Sequence, residues 1–456
     1  MTATALPITA TSEPQAQFKT EAFVQWFRSA APYINSFRDK TFVIAFGGEV
    51  VSDGKFWELT HDINLLAALD VRIVLVHGAR PQVEFQMKER GIDTKFIHGR
   101  RVTDAAALTC VMEACGTLRV EIEALFSVAM ANTPMQGADI RVASGNFITA
   151  KPIGVLDGVD YMQTGEVRKI DVVGINRRLE QQEVVLLSPL GYSPTGEVFN
   201  LTMEDVATTT AIELKADKLI FLMDTNGVSD NRGTLLEELT AEEAETLLAE
   251  NAANLSEDAR IYLPSAIKAC KKGVGRTHLI TRHVDGAMLM ELFSRDGIGT
   301  MVTQHSLENL RQATIDDVGG LLQIIEPLEE QGILVKRGRE VLETEIGNFA
   351  LLEHDGIIIG CAALYKFPDQ ASAELACLAV TPDFRSAGRG ERLLNHMEKL
   401  AAAQNIKKLF VLSTRTMHFF LERGFTETDV SQLPEKKQML YNFERRSKIF
   451  LKSIGA

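Results

Sequence analysis

The residues most suggestive of chemistry form a glycine-rich turn in the C-terminal third of the sequence. Residues Ala373 to Val380 read as a strand that runs into a turn. Arg385, Gly388 and Gly390 follow as an RxxGxG pattern directly before a helical stretch. Glycines at a helix start allow backbone N–H groups to approach an anion, and the helix dipole adds positive potential there. The pattern predicts a pyrophosphate cradle, although taken alone it is equally typical of a structural turn.

Length and charge limit the kind of protein that could carry such a cradle. A chain of 456 residues exceeds what one hydrophobic core usually serves, so we expect two domains. The net charge of -13 argues against a nucleic-acid partner and against an anionic membrane. It is compatible with small anionic ligands that bind in a local basic pocket.

Cysteine usage and the absence of targeting patterns indicate a cytoplasmic protein. The five cysteines include no CxxC pair and no Cys/His cluster with zinc-like spacing, so we expect reduced, mostly buried thiols and no metal. The N-terminus lacks a signal-peptide pattern, and no apolar run reaches the roughly 18 residues that a membrane helix needs.

The apolar pattern separates a longer N-terminal part from a shorter C-terminal part. After a tail rich in Thr, Ala and Pro, Phe18 to Phe37 has aromatic residues on a helical period, which predicts a helix with an exposed apolar face. Apolar strands then alternate with helical patterns, which is typical of an α/β domain whose mainly parallel sheet has helices on both faces. These strands are Phe42 to Phe46, Arg72 to Val76, Val184 to Leu187, Leu219 to Met223 and Leu279 to Thr281.

The second part reads as a smaller α+β domain. A helix is predicted from Ile315 to Gln331, and antiparallel-looking strands follow it. The regular pattern lapses before this helix. We therefore predict a disordered tail at residues 1–16, a first domain at 17–299, a linker at 300–311 and a second domain at 312–456.

The strand, cradle and helix resemble the acetyl-CoA motif of the GNAT acetyltransferases. The likeness extends to the helix start at Ile315 and to F-F-L-E-R-G-F at Phe419 to Phe425. It implies that acetyl-CoA is the co-substrate, that the strand pairs with the pantetheine and that the turn binds the pyrophosphate. The residues it assigns to the cofactor are Cys377, Leu378, Ala379, Val380, Arg385, Ser386, Gly388, Arg389 and Gly390.

Acetyl transfer to an amine needs a base, because the amine must lose a proton near neutral pH. Glu374 is the candidate, since it lies in the cofactor strand among apolar residues where burial would make a carboxylate more basic. The alternative is a carboxylate on the solvated face of the strand. Many family members place a tyrosine acid where this chain has Phe420. Ser413 and Ser447 are therefore the candidate donors or water-holding groups, unless they are structural hydroxyls.

Cationic segments resemble those that bind the acceptor amino acid in the N-acetylglutamate synthases. The resemblance assigns acceptor binding to Lys336, Arg337, Arg445 and Ser447, and Arg415 is a further candidate. Guanidinium groups suit carboxylates through paired hydrogen bonds. The expected reaction is acetylation of the α-amino group of L-glutamate, the first step of arginine biosynthesis. The alternative for each cation is a solvated surface charge.

The N-terminal part resembles N-acetylglutamate kinase and other amino-acid kinases. Three segments carry the likeness, at Leu75 to Gln82, Phe96 to Asp104 and Asp217 to Val228. Phosphoryl transfer requires positive charge near the phosphate, yet Ala45 and Ser265 stand where these kinases have lysines. Arg80 also replaces a glycine of their phosphate turn. We therefore do not expect a kinase reaction.

A kinase-like domain without its chemistry suggests regulation or assembly. The aromatic N-terminal helix and the segment Glu291 to Thr300 resemble the arginine site of arginine-inhibited family members. The resemblance implies that L-arginine binds near Glu291 and Gly297 as an allosteric inhibitor. It also implies a homo-oligomer, a hexamer in which such helices join dimers. Three alternatives stay open, namely a bifunctional synthase and kinase, a non-catalytic sensor, and an acetyltransferase for another amine such as aspartate or a protein lysine.

Overall fold

The computed structural model describes residues 20–454, with gaps at 94, 98, 129–130, 296, 386–387, 443–444 and 446. The chain forms two compact units, Met1–His305 and Ser306–Ala456. The predicted tail at 1–16 and the candidate Ser386 lie outside the described residues. Among the residues that are described, no helix is long and apolar enough to cross a membrane.

The N-terminal unit is an α/β layer structure. Its helices are α1 (Thr20–Phe37), α2 (Glu49–Ser52), α3 (Phe56–Ala68), α4 (Arg80–Glu89), α5 (Ala105–Phe126), α6 (Val172–Glu180), α7 (Met203–Glu213), α8 (Ala241–Asn251), α9 (Glu257–Lys271) and α10 (Ala287–Phe293). Its strands are β1 (Thr41–Phe46), β2 (Arg72–His77), β3 (Phe96–Ile97), β4 (Arg100–Arg101), β5 (Val142–Ser144), β6 (Ile148–Pro152), β7 (Val155–Leu156), β8 (Val159–Asp160), β9 (Gly165–Ile170), β10 (Val184–Leu187), β11 (Leu190–Tyr192), β12 (Val198–Asn200), β13 (Lys218–Met223), β14 (Glu238–Thr240), β15 (Arg276–Thr281) and β16 (Thr300–Thr303).

Eight of these strands form the main sheet, in the order β14-β16-β15-β13-β1-β2-β10-β5. The central strand β1 pairs in parallel with both β2 and β13, and its residues from Phe42 to Phe46 are buried. Burial on both faces explains the continuous apolar runs that predicted a parallel sheet. Only the β15 to β16 pair of this sheet is antiparallel among the recorded pairings. The unit also contains a smaller, four-stranded sheet in the order β12-β11-β6-β9.

The N-terminal helix has the exposed apolar face that its sequence predicts. Phe23, Trp26 and Phe27 are each about half exposed. At the C-terminal end of α1, by contrast, Phe37 is buried, and its ring lies 5.3 Å from the rings of Phe42 and Phe293. The helix is thus anchored to the sheet by its last turn and presents its first turns to solvent in the single chain.

The C-terminal unit is a seven-stranded sheet with helices on both faces. Its strands are β17 (Glu308–Gln312), β18 (Phe349–His354), β19 (Ile357–Phe367), β20 (Ser372–Val380), β21 (Lys408–Ser413), β22 (Thr426–Thr428) and β23 (Lys448–Ser453). Its helices are α11 (Val318–Glu330), α12 (Arg339–Glu345), α13 (Arg389–Ala403), α14 (Met417–Leu421) and α15 (Glu435–Met439). The strand order is β17-β18-β19-β20-β21-β23-β22, and among the described strands of this sheet only β20 and β21 pair in parallel.

Alternation along β18 explains the two cores of this unit. Ala350 and Leu352 pack in a cluster with residues of α13, whereas Phe349 and Leu351 pack in a second cluster with residues of α11. Because successive side chains of a strand point to opposite faces, one strand supplies both cores. The sheet is therefore held between α13 and α11.

Residues 300–311, where we expected irregular linker, are largely strand. β16 belongs to the sheet of the N-terminal unit, and β17 is the first strand of the C-terminal sheet. Both strands are short, and β17 reads E-N-L-R-Q, a polar stretch with little apolar alternation. Pairing with neighbours distant in sequence, rather than local pattern, makes these residues strands. Only a few residues remain between the two sheets.

Candidate active site

The C-terminal sheet opens where its two parallel strands part. β20 and β21 pair at Ser372 with Lys408, at Ala373 with Leu409 and at Glu374 with Phe410. Beyond Glu374, both strands are described to their ends and no further pairing between them is recorded. The edge of β20 from residue 375 onward is therefore accessible to a ligand that can pair with a strand. This edge includes the predicted cofactor residues Leu378, Ala379 and Val380.

A β-bulge lies in the same stretch of β20. Its pairing with β19 shifts register between Cys361 and Ala363, and Cys377 opposite them has a left-handed φ of 52°. The Cys361 thiol donates to the Cys377 carbonyl at 3.3 Å. An extra residue of this kind bends a strand and re-aims the residues after it. Cys377 itself is buried, and burial raises the pKa of its thiol to about 11.

The predicted cradle follows the end of β20. Gly388 precedes α13 with a left-handed φ of 69°, which glycine adopts without strain. A Cβ at Gly388 would meet nothing within 4 Å, so space surrounds this turn. The first N–H groups of α13 have no partners within the helix and point toward its N-terminal side. Arg385 is exposed, and its Nε donates to the Val380 carbonyl at 3.3 Å.

Arg389, a predicted phosphate ligand, has its side chain engaged elsewhere. Its Nε donates to the Glu308 carboxylate at 2.5 Å, and its guanidinium lies 5.2 Å from the centre of the Phe384 ring. The Arg392 guanidinium contacts the other oxygen of the same carboxylate. Arg389 can therefore contribute its main-chain N–H to the cradle, but not its side chain. Gly390 can likewise contribute its main-chain N–H.

Glu374 lies at the fork of the two strands. It is 7% exposed, which agrees with the expected burial. Its carboxylate is 2.6 Å from the ammonium of Lys437 on α15, a contact that sequence reasoning missed. Lys437 therefore holds this carboxylate in place through an ion pair. In sequence, Lys437 is one of two adjacent lysines on a short polar helix and resembles any surface charge.

The two candidate serines lie at neighbouring strand ends. Ser413, the last residue of β21, pairs with Lys448, and Ser447 comes directly before Lys448, just outside β23. The Ser413 hydroxyl accepts from the Thr416 N–H at 3.3 Å. The Ser447 carbonyl accepts from the hydroxyl of Tyr441 at 2.6 Å. Both serines are buried.

Phe420, in the slot of the expected tyrosine, belongs to the core. It is 4% exposed and contacts the rings of Phe419, Phe425 and Phe450. A hydroxyl at this place would need a polar partner in an aromatic cluster. The residue therefore packs and does not donate a proton.

Two of the predicted cations come together. The Arg445 guanidinium donates to the carbonyl of Ile333, which ties its segment to the loop that carries Arg337. Burial, together with repulsion by Arg337, lowers the pKa of Arg445. Lys336 and Arg415 are exposed, so they lack the enclosure of the other two.

In the N-terminal unit, Glu291 and Gly297 are in direct contact. Glu291 accepts from the N–H groups of Ile298 and Gly299 at 2.8 and 3.0 Å and from His278 Nδ1 at 2.7 Å. A Cβ at Gly297 would lie 2.6 Å from the carboxylate, and its φ is 61°, so glycine is required. Burial opposes ionisation, but the hydrogen bonds from His278 and the backbone hold the pKa of Glu291 at about 2.

A buried lysine extends this cluster. Lys218 Nζ lies 3.1 Å from His278 Nε2 and 5.3 Å from the centre of the Phe37 ring. Burial and the neighbouring Lys218 lower the pKa of His278 to about 4, so the imidazole is neutral and accepts from the lysine. Sequence reasoning missed Lys218 and His278, which lie within strands β13 and β15 and read as strand residues.

The glycine turn after β1 is covered by a carboxylate. A Cβ at Gly47 would lie 2.0 Å from Oε2 of Glu49, so this side chain folds back over the glycine turn after β1. Burial raises the pKa of Glu49. Ala45 is fully buried in the core, Ser265 is half-buried on α9, and Arg80 pairs with Glu84 at 3.1 Å. A resident carboxylate and missing lysines disfavour nucleotide phosphates.

Comparisons with known proteins agree with both units. Residues 40–281 match the amino acid kinase family and residues 321–425 the acetyltransferase (GNAT) family. An amino-acid acetyltransferase from Ralstonia nicotianae is 54% identical over 453 residues, covering 99% of each chain. One from Azotobacter vinelandii is 53% identical, covering 95% of this chain and 99% of its own.

A solved structure is similar over nearly the whole chain. N-acetylglutamate synthase from Neisseria gonorrhoeae, complexed with coenzyme A and L-arginine, has a TM-score of 0.86 and 38% identity, covering 95% of this chain and 100% of its own. The chain belongs to the amino-acid acetyltransferase family. The predicted α/β and α+β fold classes and the predicted acyltransferase activity are thereby confirmed. In this acetyltransferase, the described residues include no group of three His, Cys, Asp or Glu side chains placed to hold a metal.

Proposed function

We propose that this acetyltransferase transfers the acetyl group of acetyl-CoA to the α-amino group of L-glutamate and is inhibited by L-arginine. One observation carries the proposal. The fork between β20 and β21 leaves a strand edge for the cofactor next to a buried carboxylate, Glu374. The enclosed cations Arg337 and Arg445 suit an acceptor with carboxylates.

The cofactor follows the open edge of β20 to the start of α13. Main-chain groups of residues 377 to 380 pair with the pantetheine, and the N–H groups at residues 388 to 390 bind the pyrophosphate. Arg385 adds a cation at this end. The gonococcal relative, which was solved in complex with coenzyme A, supports the choice of cofactor.

The acetyl transfer requires one proton acceptor and one donor. The amine nitrogen attacks the thioester carbon, the new N–C bond forms, and the C–S bond breaks. Glu374, paired with Lys437, takes the proton from the amine directly or through water. The departing thiolate receives its proton from the Ser413 hydroxyl or from water that Ser413 and Ser447 hold. Phe420 has no part in this step because it lies in the core.

The acceptor's two carboxylates bind the cations beside this fork. Arg337 and Arg445 are the main ligands, Ser447 adds a hydroxyl, and Lys336 and Arg415 contribute charge from solvent. N-acetyl-glutamate in a second structure of the gonococcal enzyme supports glutamate as the acceptor.

The N-terminal unit is a regulatory and assembly domain in this proposal. L-arginine has a guanidinium that suits the ionised carboxylate of Glu291, next to Gly297, and the gonococcal relative binds L-arginine. The exposed aromatic face of α1 supports a homo-oligomer, a hexamer by resemblance. We place the enzyme in the cytoplasm, and we assign no kinase activity because of Glu49, Ala45 and Ser265.

A free-thiol assay tests the proposal. Acetyl-CoA would be offered with glutamate, aspartate, other amino acids and a lysine peptide, each with and without millimolar L-arginine. We expect thiol release to depend on glutamate and to fall when arginine is added. The assignment of glutamate as the acceptor would be contradicted if none of the amino acids caused thiol release. It would also be contradicted if all of them caused equal release. An arm with ATP and N-acetylglutamate would detect phosphorylation if the kinase-like turn were active.

A further inference from the structure

Tyr365 lies next to the fork without having been assigned a part in the reaction. It is half-buried in β19 and pairs directly with Glu374 in β20. Directly opposed residues of antiparallel strands project on the same face of a sheet. The phenol ring therefore borders the same space as the buried carboxylate.

The ring of Tyr365 supports one of the two acceptor cations. The guanidinium carbon of Arg337 lies 5.7 Å from the ring centre. A guanidinium stacked on an aromatic face is attracted by the ring and restricted in its orientation. The ring is thus a platform under the Arg337 guanidinium. It limits the conformations of a side chain that has several rotatable bonds.

A second set of contacts fixes the platform and the loop. The Tyr365 hydroxyl donates to Oε2 of Glu345, at the end of α12, with a distance of 2.7 Å. The main-chain N–H of Arg337 donates to Oε1 of Glu329 at 2.8 Å, and one guanidinium nitrogen donates to the Val335 carbonyl at 3.2 Å. The guanidinium has five N–H donors. Further donors of Arg337 can therefore bind a carboxylate.

We propose that Tyr365 is a positioning residue that sets the chain length of the accepted dicarboxylic amino acid. This inference rests on the proposed function, because it concerns the acceptor. Glutamate and aspartate differ by one methylene between their carboxylates, so a site distinguishes them only if its cations are held at a fixed separation. A methylene is worth roughly 10- to 200-fold in specificity in a well-formed site. A mobile Arg337 could follow the shorter substrate and would lose this discrimination.

Two variants of Tyr365 and one matched control test the inference. Tyr365→Phe keeps the ring and removes the bond to Glu345, whereas Tyr365→Leu removes the ring as well. Phe367→Leu is the control, because Phe367 lies two residues further along β19 and contacts the Phe410 ring instead of a cation. The measurements are kcat and KM for glutamate, aspartate and acetyl-CoA, together with the thermal midpoint of each variant.

For Tyr365→Leu we expect the KM for glutamate to rise about tenfold and the preference for glutamate over aspartate in kcat/KM to fall by a similar factor. The KM for acetyl-CoA should stay within about twofold. Tyr365→Phe should show the same changes at a few-fold, and because it is nearly isosteric it tests the inference even if the leucine variant fails to fold. Phe367→Leu should lower the thermal midpoint and leave the preference unchanged.

Three results would overturn the inference. The first is an unchanged preference and glutamate KM in both Tyr365 variants, and the second is a loss of kcat at constant preference, which a merely structural role would give. The third is an equal change of preference in Phe367→Leu. If the wild-type enzyme does not acetylate glutamate at all, the proposed function fails instead, and the two failures are thereby distinguished.

Discussion

Glu374 is a buried carboxylate with an ion-pair partner from a distant helix. It is 7% exposed, and Lys437 lies 2.6 Å from it. A buried ion pair is not in itself a stabilising device. Here the lysine holds the carboxylate in place beside the fork, where the reaction needs a base.

Glu374→Gln should lower kcat by about 100-fold or more, because a positioned general base contributes on that order. The measurement is the initial rate of thiol release from pH 7 to 9. Unchanged turnover across this range would remove Glu374 as the base.

Lys437→Met should lower kcat about tenfold and leave the KM for acetyl-CoA nearly unchanged, because the Glu374 carboxylate then loses the ammonium that holds it in place. Lys436→Met is the matched control, since Lys436 is exposed on the same helix. An unchanged kcat in Lys437→Met would show that the ion pair does not position the proton acceptor.

Asp62, a buried carboxyl of α3, should make stability depend on pH. It lines a cavity with Glu58 and Asp285. Burial, with repulsion by Asp285 and Glu58, raises its pKa from 3.8 to about 7. Between these values the unfolded chain releases the proton while the folded chain keeps it. The free energy of unfolding therefore falls as pH rises through this window, by at most about 4 kcal/mol.

Asp62→Asn should abolish this contribution, so that the variant gains stability relative to the wild type between pH 5 and pH 8. Urea unfolding at the two pH values measures the difference. Glu213→Gln, an exposed carboxylate of the same unit that is not among the groups raising this pKa, should change the slope much less. Parallel pH dependence of the wild type and Asp62→Asn would contradict the assignment.

At the scale of elements, the start of α13 is fixed by a strand from outside the cofactor motif. Glu308 on β17 is 11% exposed at its side chain and holds both Arg389 and Arg392 in the first turn of α13. The cradle depends on where this first turn lies, since its N–H groups are the phosphate donors. A residue at the beginning of the unit therefore orients the cofactor site.

Glu308→Ala should raise the KM for acetyl-CoA about tenfold, equivalent to ~1.4 kcal/mol, and leave the KM for glutamate nearly unchanged. Titration calorimetry with coenzyme A gives the same information without turnover. The control is Glu391→Gln, on the same turn of α13, whose carboxylate is exposed and pairs with Arg423 at 3.2 Å. Equal coenzyme A affinity in the wild type and Glu308→Ala would show that the clamp does not position the cradle.

At the scale of the whole molecule, each unit has its own hydrophobic cores and its own candidate ligand. The clusters around β1 and β2 belong to Met1–His305, and those around α11 and α13 belong to Ser306–Ala456. A ligand that binds only the folded state stabilises it in proportion to the logarithm of its concentration. Ligand-induced stabilisation therefore reports on each site separately.

Glu291→Gln should eliminate both the inhibition by L-arginine and the rise in thermal midpoint that arginine causes, while the shift caused by coenzyme A persists. At 100 times the dissociation constant a ligand contributes about 2.7 kcal/mol, which corresponds to several degrees in a protein of this size. Differential scanning fluorimetry measures both shifts. Glu213→Gln, an exposed carboxylate of the same unit, should respond as the wild type does. A full arginine shift in Glu291→Gln would exclude Glu291 from the arginine site.

Local pattern in the sequence determined the parallel sheet, the two-part architecture and the cradle. Runs such as Phe42 to Phe46 are apolar because both faces of a central strand are buried. Gly388 is a glycine because its φ of 69° suits no other residue as well. Such requirements act between residues close in sequence, so they can be inferred without tertiary structure.

Tertiary structure alone decided which charges meet. Arg389 binds Glu308 across 81 positions of sequence, and Lys218 contacts His278 across 60. Lys437 likewise contacts Glu374 although the two residues are distant in sequence. Pairing with distant strands also explains why residues 300–311 are largely strand. An isolated lysine or carboxylate has the same local signature whether it faces solvent or a buried partner. The carboxylate and the cradle were therefore predictable from sequence, whereas the partners that hold them were not.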